Sequence, residues 1–312
     1  MSPALRLALA CVIVAAVPAY AGEAEWKQHM SAGFAAVRKG DPRAAGLRFE
    51  AAARETEAFD ERDARRAATL YYLAIAYHRQ GRAAEAETNY KRALQLIEKL
   101  QGPDDPDVMV ILNELSNLYM EQAQHAYAEP LLKRLLVLEE KMRGADHPDV
   151  AATVSNLAEL YRREGFLSRA VPLYQRALAI SEAKLGPDHA ETAATLTGLA
   201  RSYQSLGRYA DAEPLYRRAL QIREKTFGRE HPQVATVLNY LGELYRAQAR
   251  YADAEPLYLR AIAINEKAQG SQDVDLAISL NNLAHAYASQ GRRAEAEALF
   301  ARARKIQQQP AK

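Results

Sequence analysis

Apolar residues recur at helical spacing along most of this chain. Leu196, Leu199, Ala200 and Tyr203 stand at i, i+3, i+4 and i+7. Ala212, Leu215, Tyr216, Ala219 and Leu220 follow at i, i+3, i+4, i+7 and i+8. Each spacing draws one apolar stripe along an α-helix. Gly207 lies between the two stripes, where a positive φ would reverse the chain. The pattern then starts again, because Gly102, Gly144, Gly186, Gly228 and Gly270 are each 42 residues apart. A fixed period of this length predicts a stacked array of helix pairs.

Side-chain size follows the same period. Ala74, Ser116, Ala158, Ala200, Gly242 and Ala284 share one register of the first helix, and Ala45, Ala86, Ala128, Ala170, Ala212, Ala254 and Ala296 share one register of the second. Small residues there let paired helices approach to the close end of the roughly 8–10 Å packing range. Tyr77, Tyr119, Tyr161, Tyr203, Tyr245 and Tyr287 fill a gap in the first helix. His147, His189 and His231 recur just before a helix, in the register of Asp105 and Asp273. That placement predicts N-terminal caps. It argues against a metal set, whose ligands must converge on one ion.

The period divides the chain into seven expected pairs: a divergent one at 22–60, then 61–101, 102–143, 144–185, 186–227, 228–269, and 270–312 with its polar tail. Trp26 is expected to cover the first end of the stack. Arg304 takes the register of Leu178, Leu220 and Ile262, so the last helix is expected to carry no further repeat, leaving that end to a partner or a second copy. Ala123 and Ala249 replace the turn glycine. A left-handed alanine costs roughly 1–2 kcal/mol, so another turn geometry is expected at both.

The small–Tyr–Gly–Ala–Tyr–Ala order resembles the tetratricopeptide repeat. The 42-residue unit, Asp-His-Pro at 146–148, Leu-Asn-Asn-Leu-Ala at 280–284 and Tyr-Ala-Asp-Ala-Glu-Pro-Leu-Tyr at 209–216 and 251–258 resemble the kinesin-light-chain subtype. The resemblance implies an all-α fold: a right-handed superhelical solenoid of about seven helix pairs. It also implies that the first helices line a concave groove that receives a segment of a partner protein. Groove positions then fall to residues just off the apolar stripe: Asn113, Asn117, Asn156, Arg162, Arg201, Gln204, Asn239, Tyr240, Arg246, Asn281, Asn282 and His285. Asparagine offers a donor and an acceptor to an extended backbone. Arg162, Arg201 and Arg246 form a basic strip suited to carboxylates, interrupted by Glu159 and Glu243.

The N-terminus reads differently. Arg6, the apolar run 7–17 and Ala19-Tyr20-Ala21 describe a secretory signal peptide cut after Ala21, hence a periplasmic or secreted protein in a bacterial envelope. The run is too short to span a bilayer, so no membrane insertion is expected after its removal. The only cysteine, Cys11, leaves with it, and the formal charge falls from +2 to +1 because Arg6 is its one charged side chain. That balance argues against nucleic-acid binding. No phosphate loop, Gly-x-Ser-x-Gly or His-Glu-x-x-His motif occurs, so no catalytic residue, metal or cofactor is assigned. The expected function is a non-catalytic scaffold or adaptor. The alternatives are a self-associating structural component, joining copies through the ends of the array, and a ligand-binding or enzymatic module.

Overall fold

The computed structural model describes residues 22–269 and 274–308. The expected signal peptide, the Asp273 cap and the final residues 309–312 lie outside them. The chain divides into two compact units, 1–142 and 143–312.

The described residues are helical and hold no strand. The first unit carries α1 (Glu23–Arg38), α2 (Pro42–Glu55), α3 (Ala64–Arg79), α4 (Ala83–Gln101), α5 (Pro106–Glu121) and α6 (His125–Arg143), which reaches the boundary. The second carries α7 (Pro148–Arg163), α8 (Leu167–Lys184), α9 (Ala190–Ser205), α10 (Tyr209–Phe227), α11 (Pro232–Ala247), α12 (Tyr251–Gln269), α13 (Val274–Ser289) and α14 (Arg293–Gln307). In this unit α7 pairs with α8, α9 with α10, α11 with α12 and α13 with α14, while α9, α11 and α13 each pack on the second helix before them.

The core is repeated rather than single. One cluster joins Ala193, Leu196, Ala219, Ile222 and Val237; the next joins Val234, Ala235, Leu238, Ala261 and Ile264. Leu220 touches both clusters, so each pair completes its core on its neighbour. The small residues permit this. Ala212, Ala254 and Ala200 are fully buried, and a Cβ on Gly242 would lie 2.7 Å from the Tyr258 ring.

The caps use the residues expected of them. His147, His189 and His231 each accept the N–H two residues on through Nδ1, at 3.1, 3.2 and 3.2 Å. Asp105 does the same for Asp107 at 2.8 Å. The turns differ from the expectation at two positions. Ala123 and Ala249 both keep the left-handed geometry, at φ 55°, rather than finding another turn. The cause is the hydrogen bond that closes every such turn. Gln124 N–H and Arg250 N–H reach the carbonyls of Tyr119 and Tyr245 at 2.8 Å, as Arg208 N–H reaches Tyr203 at 2.9 Å. Stacking fixes the exit direction, and the alanines accept the strain.

Two further contacts join successive pairs. Tyr245 and Tyr287 donate to Glu213 and Glu255 of the preceding second helix, at 3.0 and 2.7 Å. Arg250 and Arg292 bind the same glutamates and lie over the same tyrosine rings. Two arginines of the second helices reach across to loops. Arg218 and Arg260 donate to the carbonyls of Pro187 and Arg229 at 3.2 and 2.9 Å, tying down the loops ahead of α9 and α11. In the first unit Trp26 is buried against Phe59, and its indole N–H donates to Thr69 at 2.9 Å.

Candidate functional site

In the second unit the apolar stripes of α7, α9, α11 and α13 face their neighbours, and the residues beside each stripe open onto two adjoining clefts. The first cleft, about 360 Å³, is lined by α7, α9 and α11 with single contributions from α8 and α10. The second, about 280 Å³, lies between α11 and α13 with Asn265 of α12 at its wall. Thr236 and Tyr240 line both. Two roomier, shallower depressions around Pro214 lie on the second-helix side, lined mainly by α8 and α10.

The first cleft has a glycine floor. Gly198 takes the place of a side chain, and a Cβ there would meet the Tyr174 ring at 2.4 Å. Tyr174 is buried, and its hydroxyl donates to Glu159 at 2.8 Å. Arg162 holds Glu159 by two bonds, at 2.7 and 2.6 Å, and Arg163 adds a third at 2.8 Å. Burial pushes the Glu159 carboxyl upward, but these arginine bonds outweigh it and bring its pKa down to about 2. Arg162 is therefore committed within the chain, with its side chain only 12% exposed.

Arg201 is less committed. Its nearest carboxylate oxygen, on Glu159, is 3.9 Å away. Its guanidinium lies over the Tyr240 ring at 4.5 Å, a cation–π contact. Tyr240 stacks in turn on the buried Tyr216, whose hydroxyl donates to Gln204 at 2.8 Å. Arg223 reaches the same cleft from α10. Its guanidinium donates to Gln233, and its Nε is buried without a hydrogen-bond partner. Burial alone pushes the Arg223 pKa below its ordinary value. Arg201, Arg223 and the Gln233 amide bring donors to this cleft, beside the Glu159 carboxylate that also lines it and is already held by Arg162 and Arg163.

The second cleft is built around one hydroxyl. Ser279 donates its proton to the Asp275 carbonyl at 3.0 Å. It then accepts from the amides of Asn239 and Asn265, at 2.8 and 3.1 Å. With the hydroxyl proton committed, both asparagines must present N–H to Ser279, which leaves both amide oxygens unpaired. The two side chains are 8% and 1% exposed, and both Oδ1 atoms are buried without a partner. Glu243, Asp275, Asn282 and Ile278 complete the wall, and among the described residues no lysine or arginine lines it.

The structure thus gathers Asn156, Arg201 and Tyr240 in the first cleft, and Asn239, Tyr240 and Asn282 in the second. Gln204 supports Tyr216 from beyond the rim. Arg246 is half-buried on α11, and Asn281 and His285 lie on α13 outside the lining, His285 edge-on to Phe300. Asn113 and Asn117 are half-buried on α5 of the first unit. Arg223, Gln233, Gly198 and Asn265 were not among the sequence candidates. Arg223 and Asn265 lie on second helices, and Gly198 contributes by lacking a side chain.

The sequence matches the tetratricopeptide repeat family in overlapping stretches, at residues 65–138, 107–180, 149–225, 199–267 and 233–309. The chain belongs to the tetratricopeptide repeat family. Among solved structures it is similar to BtubC (BKLC) from P. vanneervenii, at 27% identity and TM-score 0.62, over 72% of this chain and 91% of that one. It is also similar to the nearly identical TPR-like repeats of a putative kinesin light chain from Podosopora anserina, at 30% identity and TM-score 0.55, over 65% of this chain and 96% of that one. The apo form of RapI shares the fold at 15% identity and TM-score 0.73, over 91% of this chain and 97% of that one. No protein of curated function matches. As a tetratricopeptide repeat protein the chain has an all-α solenoid fold, and repeats of this kind generally mediate protein–protein interaction. Among the described residues no helix is long and apolar enough to cross a membrane.

Proposed function

We propose that this tetratricopeptide repeat protein is a non-catalytic adaptor whose second unit holds an extended protein segment along α7, α9, α11 and α13. The observation that carries the reading is the pair of adjoining clefts, which share Thr236 and Tyr240 and hold buried, unpaired side-chain donors and acceptors in their walls. An extended segment brings backbone N–H and C=O groups that need such partners. Tyr240 supplies a rigid aromatic contact between the clefts. The similarity to the repeats of a putative kinesin light chain supports a repeat array of the same kind. The N-terminal signal pattern adds a place for this activity, outside the cytosol in a bacterial envelope.

The test is an in-cell crosslinking capture with the parent and with Tyr240→Ala, after circular dichroism shows equal helicity. A partner held by the parent and lost by the variant supports the adaptor. A partner held equally by both moves the interface off this face, and capture of copies of this chain alone favours self-association.

A further inference from the structure

The two clefts are one site written twice, with the polarity reversed at three registers. The 42-residue period that separates Gly186 from Gly228 superposes their linings. Arg201 of the first cleft becomes Glu243 in the second, Arg223 becomes Asn265, and Gln233 becomes Asp275. Each donor is replaced by a group that accepts. The first cleft has an unpaired guanidinium N–H at Arg223; the second has two unpaired carbonyl oxygens, at Asn239 and Asn265.

A buried acceptor without a donor is costly. Two of them, fixed by one serine and rimmed by carboxylates, ask for a group with several N–H donors and a positive charge. We infer that the second cleft binds the side-chain cation of a lysine or arginine in the bound segment. Ile278, which is 45% exposed at the rim, offers apolar contact to the aliphatic stem of such a side chain. Glu243 supplies opposite charge, and the asparagine oxygens accept its N–H groups. The first cleft takes a carboxylate on Arg201 and Arg223 by the complementary logic.

The arrangement sets a spacing. Packed helices lie roughly 8–10 Å apart, and an extended chain advances about 3.3 Å per residue. The acidic and basic residues of the segment are therefore about three positions apart. This inference rests on the adaptor reading for its biological use, but the cation site itself does not require that a partner be found.

The experiment is an NMR titration of the purified protein, following the side-chain amides of Asn239 and Asn265 and the Nε–H signals of Arg201 and Arg223. The probes are n-butylammonium, n-propylguanidinium, butyrate and neutral n-butanol. Both cations are expected to move the asparagine signals and leave the arginine signals in place, while butyrate does the reverse. Glu243→Gln, which alters one charge and little volume, is expected to weaken the cation response by about threefold, the scale of one screened ion pair. Asparagine signals that ignore both cations, or move as much with n-butanol, overturn the inference. So does a Glu243→Gln protein that responds to cations like the parent. Failure to capture a partner in cells, with the cation response intact, would count against the adaptor and leave the cleft's chemistry standing.

Discussion

Glu159 and Glu243 occupy one register of the first helices, two periods apart, and meet different fates. Glu159 is clasped by Arg162 and Arg163 and capped by the Tyr174 hydroxyl. Glu243 faces a cleft that no lysine or arginine lines among the described residues. The first is part of how the chain holds itself together; the second stands where an outside cation would bind. The difference is not in the neighbour one turn along, since Arg246 follows Glu243 as Arg162 follows Glu159; Arg246 sits beside Tyr258 and forms no ion pair with Glu243 among the described residues. A repeat protein can use one backbone position as a strut in one unit and as a recognition group in another.

The largest expected effect removes the strut. Glu159→Gln leaves Arg162 without its carboxylate and should cost about 2 kcal/mol of stability at neutral pH. Because the folded pKa of Glu159, about 2, lies below its ordinary 4.5, this stabilisation is full above pH 4.5 and shrinks as the pH falls. The difference between parent and variant in urea melts should therefore fade below pH 4.5 and be gone near pH 2. A pH-independent difference would break the contrast with Glu243.

Next comes an exchange of polarity. Glu243→Arg with Asp275→Gln gives the second cleft the residues found at the same registers in the first. Cation affinity there should fall by about thirtyfold, a change of three charge units at roughly 0.7 kcal/mol each, and butyrate should now move signals at both clefts rather than at the first alone. A cleft that still prefers cations after the exchange would contradict the polarity argument.

A smaller effect is expected at the cleft floor. Alanine gains about 1 kcal/mol over glycine inside a helix, but crowding a packed site costs about 1–3 kcal/mol. Gly198→Ala pushes on the Tyr174 ring, so calorimetry should show a net loss of about 1 kcal/mol. A higher melting temperature would mean that Tyr174 gives way freely. The smallest change belongs to Arg223→Leu, which removes a half-buried cation left with an unpaired Nε. Stability should rise, by less than about 1 kcal/mol, while the butyrate response of the first cleft disappears.

Much of the fold was legible because the period is strict. The same registers carry the same small residue, the same tyrosine and the same cap, so helices and turns could be placed from spacing alone. The turns at Ala123 and Ala249 were misread for a physical reason: local preference argues for a different geometry, and stacking between pairs overrides it. The clefts were only partly legible. A search confined to first helices finds Arg201, Asn239 and Tyr240, but it passes over Arg223 and Asn265 on the second. Their signal was present in the sequence as polar residues in the register held by Ile97 in the 61–101 unit. It acquires meaning only once burial and the shared serine are known. Gly198 gave no signal of its own, since an absent side chain marks a site only when the ring beneath it is seen. The committed state of Arg162 depends on side-chain geometry that spacing alone does not specify.

The central claim is that the two clefts together hold one segment of a partner. A photo-crosslinking residue at Thr236, which is exposed and lines both clefts, tests it most directly. The account predicts that crosslinking in cells, followed by peptide sequencing, recovers a segment with an acidic and a basic residue about three positions apart. Crosslinked peptides without that pair, or a partner reached from an outer position such as Arg217 and never from Thr236, would contradict it.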